Sequence, residues 1–190
     1  LYGIGGSLLL KRGIQNYHHI NEISVMGIVE VIPKILKIRR IINNVTQAVL
    51  ELKPDIVITN APSDRHPDHG RSSDLTIDSC FLSGLEKIET GQDVWRPKHI
   101  YHYIQFNTIL PDFVVDITDE MEQKIESILC YKTQFYNPES EETETIISSK
   151  DFLESVKYRA KDLGRQSDCK YAEGFITNQT LKVESLKDLI

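Results

Sequence analysis

The sequence predicts an α/β domain, a mostly parallel sheet flanked by helices, because helix-period and strand-like runs alternate along its first two thirds. Ile35, Ile38, Ile42, Val45, Val49 and Leu52 recur in steps of three and four. Asp55-Ile56-Val57-Ile58-Thr59-Asn60 is then a short β-branched run, and residues 71–85 return to helical spacing.

Pro33 suits the first turn of the first helix, where no backbone N–H is needed, and Pro54 lies just past its end. The strand over 56–60 closes in Ala61-Pro62-Ser63-Asp64, a loop composition. From Arg71 to Leu85 a helix places Leu75, Cys80 (or Ser79), Leu82 and Leu85 roughly on one side, with Gly84 near its end. Residues 86–98 read as a polar loop ending in Trp95-Arg96-Pro97. Ile100–Phe106 and Phe113–Ile117 read as strands, and Thr118 or Asp119 as the cap of a helix through Met121, Ile125, Ile128 and Leu129. The acidic run 139–144 is an exposed loop, 150–166 an amphipathic helix, and Tyr171–Ile176 a final strand or edge.

Between the strand at 56–60 and its following helix stands Arg65-His66-Pro67-Asp68-His69-Gly70, two imidazoles, a carboxylate and a guanidinium in one turn. Pro67 has a fixed φ and no N–H, so it fits a helix start and pushes His66 toward extended backbone. In an open α/β sheet the crevice beyond the strand ends holds ligands, and the helix dipole there favours anions. The motif therefore marks a candidate metal or anion site. A plainer reading is a capped helix start with Asp68 complementing the dipole, or an ion pair of Arg65 with Asp64 or Asp68. Two histidines alone fall short of the three protein ligands a catalytic zinc takes.

Asp64 through Gly70, followed by Asp78-Ser79-Cys80-Phe81-Leu82-Ser83-Gly84-Leu85, resembles the second signature of the LmbE-like (PIG-L) zinc deacetylases, in their bacillithiol-biosynthesis branch. Trp95-Arg96-Pro97, Tyr101-His102-Tyr103, Pro111 to Ile117, Tyr131 to Phe135 and Tyr171 to Phe175 are similar to that branch in order and spacing. The resemblance covers about residues 53–190 and implies a single Rossmann-like domain. It implies His69 as a zinc ligand, His66 as the group stabilising the tetrahedral intermediate, and Asp68 as its hydrogen-bonded partner. It implies Arg65 as a forked donor to a substrate carboxylate. The activity so implied is zinc-dependent deacetylation of an N-acetylglucosaminide, N-acetylglucosaminyl-malate in bacillithiol biosynthesis, with Zn2+ or another divalent metal. The implied partners are that small molecule and further copies of the chain, as a homo-oligomer. A catalytically inactive sugar-binding or structural remnant of the same fold is the alternative.

The start of the chain departs from that pattern. Leu1 to Gly13 reads as the glycine-rich turn that follows a first strand and an Ala-His-Pro-Asp-Asp segment, which would then lie upstream of residue 1. Residues 14–32 do not match. His18 and His19 could replace a ligand only singly, since neighbours on a strand face opposite sides. Gly3-Ile4-Gly5-Gly6 lacks the spacing and the preceding strand of a dinucleotide loop.

A length of 190 residues predicts one domain, and a net charge of −6 without a basic face argues against nucleic acid as a partner. Lys34, Lys37, Arg39 and Arg40 alternate with Ile35, Leu36, Ile38 and Ile41, as on the solvated side of a helix. Cys80, Cys130 and Cys169 are too widely spaced for a thiolate zinc site and odd in number, so a reducing, cytoplasmic setting with no membrane span is expected. His102 reads as structural, and Tyr171 and Glu173 as groups near the site mouth.

Overall fold

The computed structural model describes residues 23–25, 35–88 and 90–189. The chain forms an α/β fold with a mixed five-stranded sheet. In chain order it runs β1 (Ile23–Val25), α1 (Ile35–Leu52), β2 (Ile56–Thr59), α2 (Pro67–Ser83), β3 (His99–Tyr103) and β4 (Phe113–Asp116). Then come α3 (Met121–Leu129), α4 (Lys150–Gln166), β5 (Ala172–Thr177) and a 3-10 turn, Leu186–Leu189.

The sheet order is β1-β2-β3-β5-β4. β1, β2 and β3 pair in parallel, with Ile23 opposite Ile56 and Ile56 opposite His99. β5 runs against both of its neighbours, with Tyr103 and Phe113 each opposite Phe175. The mostly parallel expectation thus holds in part, for a mixed sheet: β5 alone runs the other way, and it enters between β3 and β4 rather than taking an edge. Four strands still point one way.

Alternation along β2 divides the core. Val57 clusters with Val49 of α1 and Cys80 of α2, while Ile58, one residue on, clusters with Tyr103 and Phe175. Ile117, Met121 and Ala160 form a third cluster that ties α3 to α4. On α1 the buried side is Val45, Thr46, Val49 and Leu50, and Leu52, expected inside, is 46% exposed at the helix end.

The buried face of α2 differs from the leucine stripe that spacing suggests. Ser72, Ser73, Thr76, Ser79, Cys80 and Ser83 face inward, and Leu75 and Leu82 are only half-buried. Hydroxyls are tolerated there because they find partners: Thr76 donates to the Ser72 carbonyl at 2.8 Å, Ser79 to Leu75 at 2.7 Å and Ser83 to Cys80 at 2.9 Å, while the Ser73 hydroxyl lies 3.1 Å from His102 Nδ1. Small side chains also let α1 and α2 lie close, and Thr46 on α1 reaches the Ser79 carbonyl at 3.5 Å.

A side-chain cap sets the start of α4 but not that of α3. Ser149 accepts from the Phe152 N–H at 3.1 Å and starts α4. Thr118 does not cap α3, because its hydroxyl accepts the N–H groups of Lys170 and Tyr171 at 3.2 Å each, holding the approach to β5. The expectations on Leu1–Gly13, on most of 14–32, on His18 and His19, and on a strand before residue 1 lie outside the described residues.

Candidate functional site

β2 ends at Thr59, the chain turns through residues 60–66, and α2 begins at Pro67 with His66 extended at φ −85° and ψ 121°. This turn brings Asp64 beneath the first turn of the helix. Its side chain is fully buried and meets His69 Nδ1 at 2.8 Å through Oδ2. Three backbone N–H groups also donate to that carboxylate: Arg65 at 2.6 Å, Asn107 at 3.3 Å and Phe106 at 3.4 Å. His69 Nδ1 is thus placed to donate to Asp64, which would leave Nε2 as the ring nitrogen that accepts.

The neighbouring residues take other places. His66 is largely exposed, and its Nδ1 accepts from the Asp68 N–H at 3.3 Å as the cap of α2. The Asp68 carboxylate stands 3.6 Å from that nitrogen and closer to Arg71, at 3.0 Å. The rings of His66 and His69 are 5.3 Å apart, so both face one space. Arg65 projects its guanidinium over the Phe106 ring at 5.3 Å and pairs with neither Asp64 nor Asp68 among the described contacts. Geometry thus joins Arg65, His66 and His69 at one mouth and leaves Asp68 beside Arg71, off the cavity lining.

That mouth opens on a cavity of about 430 Å³, within the range of small-molecule sites, roughly 300–1,000 Å³. Lys124 of α3 and Glu173 of β5 line it and pair with each other at 2.6 Å, both largely buried. Arg159 of α4 reaches the carbonyls of Ile104, Gln105 and Phe106, the segment whose N–H groups hold Asp64. Burial lowers the Arg159 pKa, opposed by the charges of Asp64 and Glu173. Tyr103 sits 2% exposed beside them, and burial raises its phenol well above the ordinary range, helped by the same two carboxylates.

Sequence reasoning missed Asp64 and Arg159. The first could have been found as the carboxylate five residues ahead of His69, across the strand-to-helix turn. Nothing local marks Arg159, since its carbonyl partners lie more than fifty residues away.

A zinc site asks for more than the described residues assemble. No group of three His, Cys, Asp or Glu side chains among them stands where it could hold a metal ion. His69 offers one donor nitrogen, and Cys80 is buried with its thiol pushed up to about 12 by desolvation, which keeps it protonated. No described helix is long and apolar enough to cross a membrane.

Residues 1–66 match the family model of lipid-A-disaccharide synthetase. The lipid-A-disaccharide synthase of Ruegeria pomeroyi is 32% identical over 96 residues, 50% of this chain and 23% of that protein. The chain therefore spans less than a quarter of that relative. Among solved structures, a conserved protein from Thermus thermophilus aligns with TM-score 0.66 and 25% identity, over 76% of this chain and 61% of its own. The N,N'-diacetylchitobiose deacetylase of Pyrococcus horikoshii aligns with TM-score 0.58 and 26% identity, over 80% of this chain and 57% of its own.

These matches correct the family drawn from the motif. The sequence relatives are named lipid-A-disaccharide synthase, a glycosyltransferase, and not LmbE-like zinc deacetylases. Zinc-dependent deacetylation of N-acetylglucosaminyl-malate, the amidase activity and the place in bacillithiol biosynthesis fall with it, as does the inactive remnant of that family. The reason is positional. The deacetylase reading rested on residues after 53, whereas the stretch it could not match, 14–32, lies inside the synthetase match, as does the start of the chain that it took for a glycine-rich turn.

Proposed function

We propose that the cavity holds a saccharide and that His69, oriented by Asp64, exchanges a proton with it during glycosyl transfer. One observation carries the reading: a fully buried carboxylate bonded at 2.8 Å to the imidazole at the cavity mouth. A base so placed takes the proton of an acceptor hydroxyl as its oxygen bonds the sugar carbon, while the departing group leaves with its electron pair. Supporting it, the relatives that match by sequence carry the name lipid-A-disaccharide synthase.

The other residues acquire roles on this reading. Arg65 offers a forked donor to an anionic substituent at the mouth, and His66 a second imidazole beside it. Asp68 steadies the helix start through Arg71. The sheet, with four strands in one direction and the site beyond the end of β2, is of the Rossmann-like kind. Zn2+ or another divalent cation belongs to the proposal only with donors beyond His69 and beyond the described residues. A homo-oligomer belongs to it as the assembly.

Saturation-transfer NMR with a panel of mono- and disaccharides tests the reading. Signals are expected from at least one sugar, weakened tenfold or more in His69→Gln and Asp64→Asn. A folded protein that shows no transfer to any saccharide would overturn it.

A further inference from the structure

We infer that Gln105 reads a hydroxyl of the saccharide, and that Asn60, buried behind it, is the positioning residue that sets the direction of its amide. This role rests on the saccharide reading and adds to it a side chain that decides which sugar is taken. Gln105 lies just past β3 and lines the cavity, whereas Asn60 lies just past β2, is 3% exposed and forms no part of the lining. Asn60 Nδ2 donates to Gln105 Oε1 at 3.0 Å, beyond the ends of the two parallel strands. With its oxygen so engaged, Gln105 meets a ligand through the N–H2 end of its amide.

Gln105 is fixed through main chain and side chain alike. Its carbonyl accepts from Arg159, and the two N–H groups that follow it, of Phe106 and Asn107, donate to Asp64. A glutamine on a surface loop sweeps many rotamers, and here that freedom is given up on folding, before a ligand arrives. A hydroxyl bound to Gln105 is also kept in fixed relation to His69, because both residues are tied to the Asp64 carboxylate.

The state of Asn60 points the same way. Its Oδ1 is buried with no hydrogen-bond partner among the described residues, a condition few side-chain atoms share in folded proteins. A leucine would fill the place without an orphan, so what the amide contributes there is its N–H2, received by Gln105. Turning both amides over would keep the bond between them, satisfy Oδ1 and show the cavity an acceptor in place of a donor. A hydroxyl matches either end, because it donates and accepts, whereas a methylene in its place matches neither.

Calorimetry of the full chain with methyl β-glucoside and its monodeoxy analogues tests this. At least one analogue is expected to bind about tenfold more weakly than the parent. In Gln105→Met the parent should fall to the level of that analogue, while the affinity of the analogue itself changes less than about twofold. Asn60→Leu should shrink the same ratio to about threefold or less, although its side chain meets no ligand. In the unaltered protein the parent, and not the weak analogue, should shift the side-chain amide resonances of Gln105, a measurement that needs no variant to fold. Equal affinity for the parent and every analogue, or a ratio that survives in Gln105→Met, would overturn the role of Gln105 and leave the saccharide reading standing. A ratio lost in Gln105→Met but kept in Asn60→Leu would overturn the role of Asn60. A protein that binds neither these glucosides nor any other saccharide would sink the saccharide reading and both roles with it.

Discussion

Arg159 and Asp64 grip the same short segment from opposite sides. Arg159 takes its carbonyls, at Ile104, Gln105 and Phe106, and Asp64 takes its N–H groups, at Phe106 and Asn107. A cation and an anion thus share a backbone between them, and the anion in turn orients His69.

Replacing Arg159 by Met should therefore act on two observables. Stability should fall by about 2–3 kcal/mol in urea denaturation, since buried carbonyls lose charged donors. The downfield Nδ1–H proton resonance of His69 should broaden or vanish, and Arg159→Lys should restore part of it. An intact resonance in Arg159→Met would show that Asp64 is held without the arginine.

His102 makes stability depend on pH on the acid side. It is fully buried, with Nδ1 2.9 Å from the Asn60 carbonyl and 3.1 Å from the Ser73 hydroxyl, and Nε2 3.3 Å from the Asn178 amide nitrogen. Burial lowers its pKa, opposed by the Asn60 carbonyl and the charge of Asp74. Because the unfolded ring titrates near ~6.5, the unfolded chain takes up a proton below that pH that the folded chain refuses. Stability should be unaffected by this group above ~6.5 and fall as pH drops below it. Urea denaturation of the wild type and His102→Gln at pH 7.5 and 5.5 checks it: the loss between the two pH values should be smaller in the variant.

Lys53, just past α1, has φ 46°, a left-handed conformation that costs a residue with a Cβ about 1–2 kcal/mol. Lys53→Gly should raise stability by roughly 0.5–1 kcal/mol once the greater freedom of the unfolded glycine is counted. Its ion pair with Asp93, 3.7 Å and exposed, adds little to lose. A lower Tm in the variant would refute the strain.

Gly164 allows the end of α4 to pass against its own continuation. A Cβ there would stand 2.7 Å from the Cys169 carbonyl oxygen and 2.8 Å from the Lys170 carbonyl carbon, both backbone. Gly164→Ala should destabilise by ~1–3 kcal/mol and be seen as a lowered urea midpoint with an unchanged slope.

Helices and strands whose signals were periodic could be read from the residues: α1 from its isoleucine spacing, β2 from its β-branched run, α4 from its amphipathic pattern over 150–166. The hidden side of α2 could not, because serine and threonine score as surface residues unless their carbonyl partners are known. The place of β5 was equally hidden, since strand order follows from long-range pairing that no local pattern records. At the site, the histidines stood out by type, but Asp64 was read as a loop residue and a partner for Arg65, not as the carboxylate that meets His69. The family was misjudged because the resemblance was drawn from residues after 53, while the match that overturns it lies at the start of the chain, over 1–66.

The hydroxyl-lined side of α2 makes the turn that carries His69 sensitive to changes made well away from it. A helix spaced from its sheet by groups as slight as Thr76, which meets the Thr59 hydroxyl at 3.0 Å, has no slack to absorb an added methylene. Swelling that layer would tilt the rod as a unit and carry the imidazole at its near end off its carboxylate. Variants that disturb the pairing of His69 with Asp64 should therefore turn up two and three turns down the rod, among residues that line no part of the cavity.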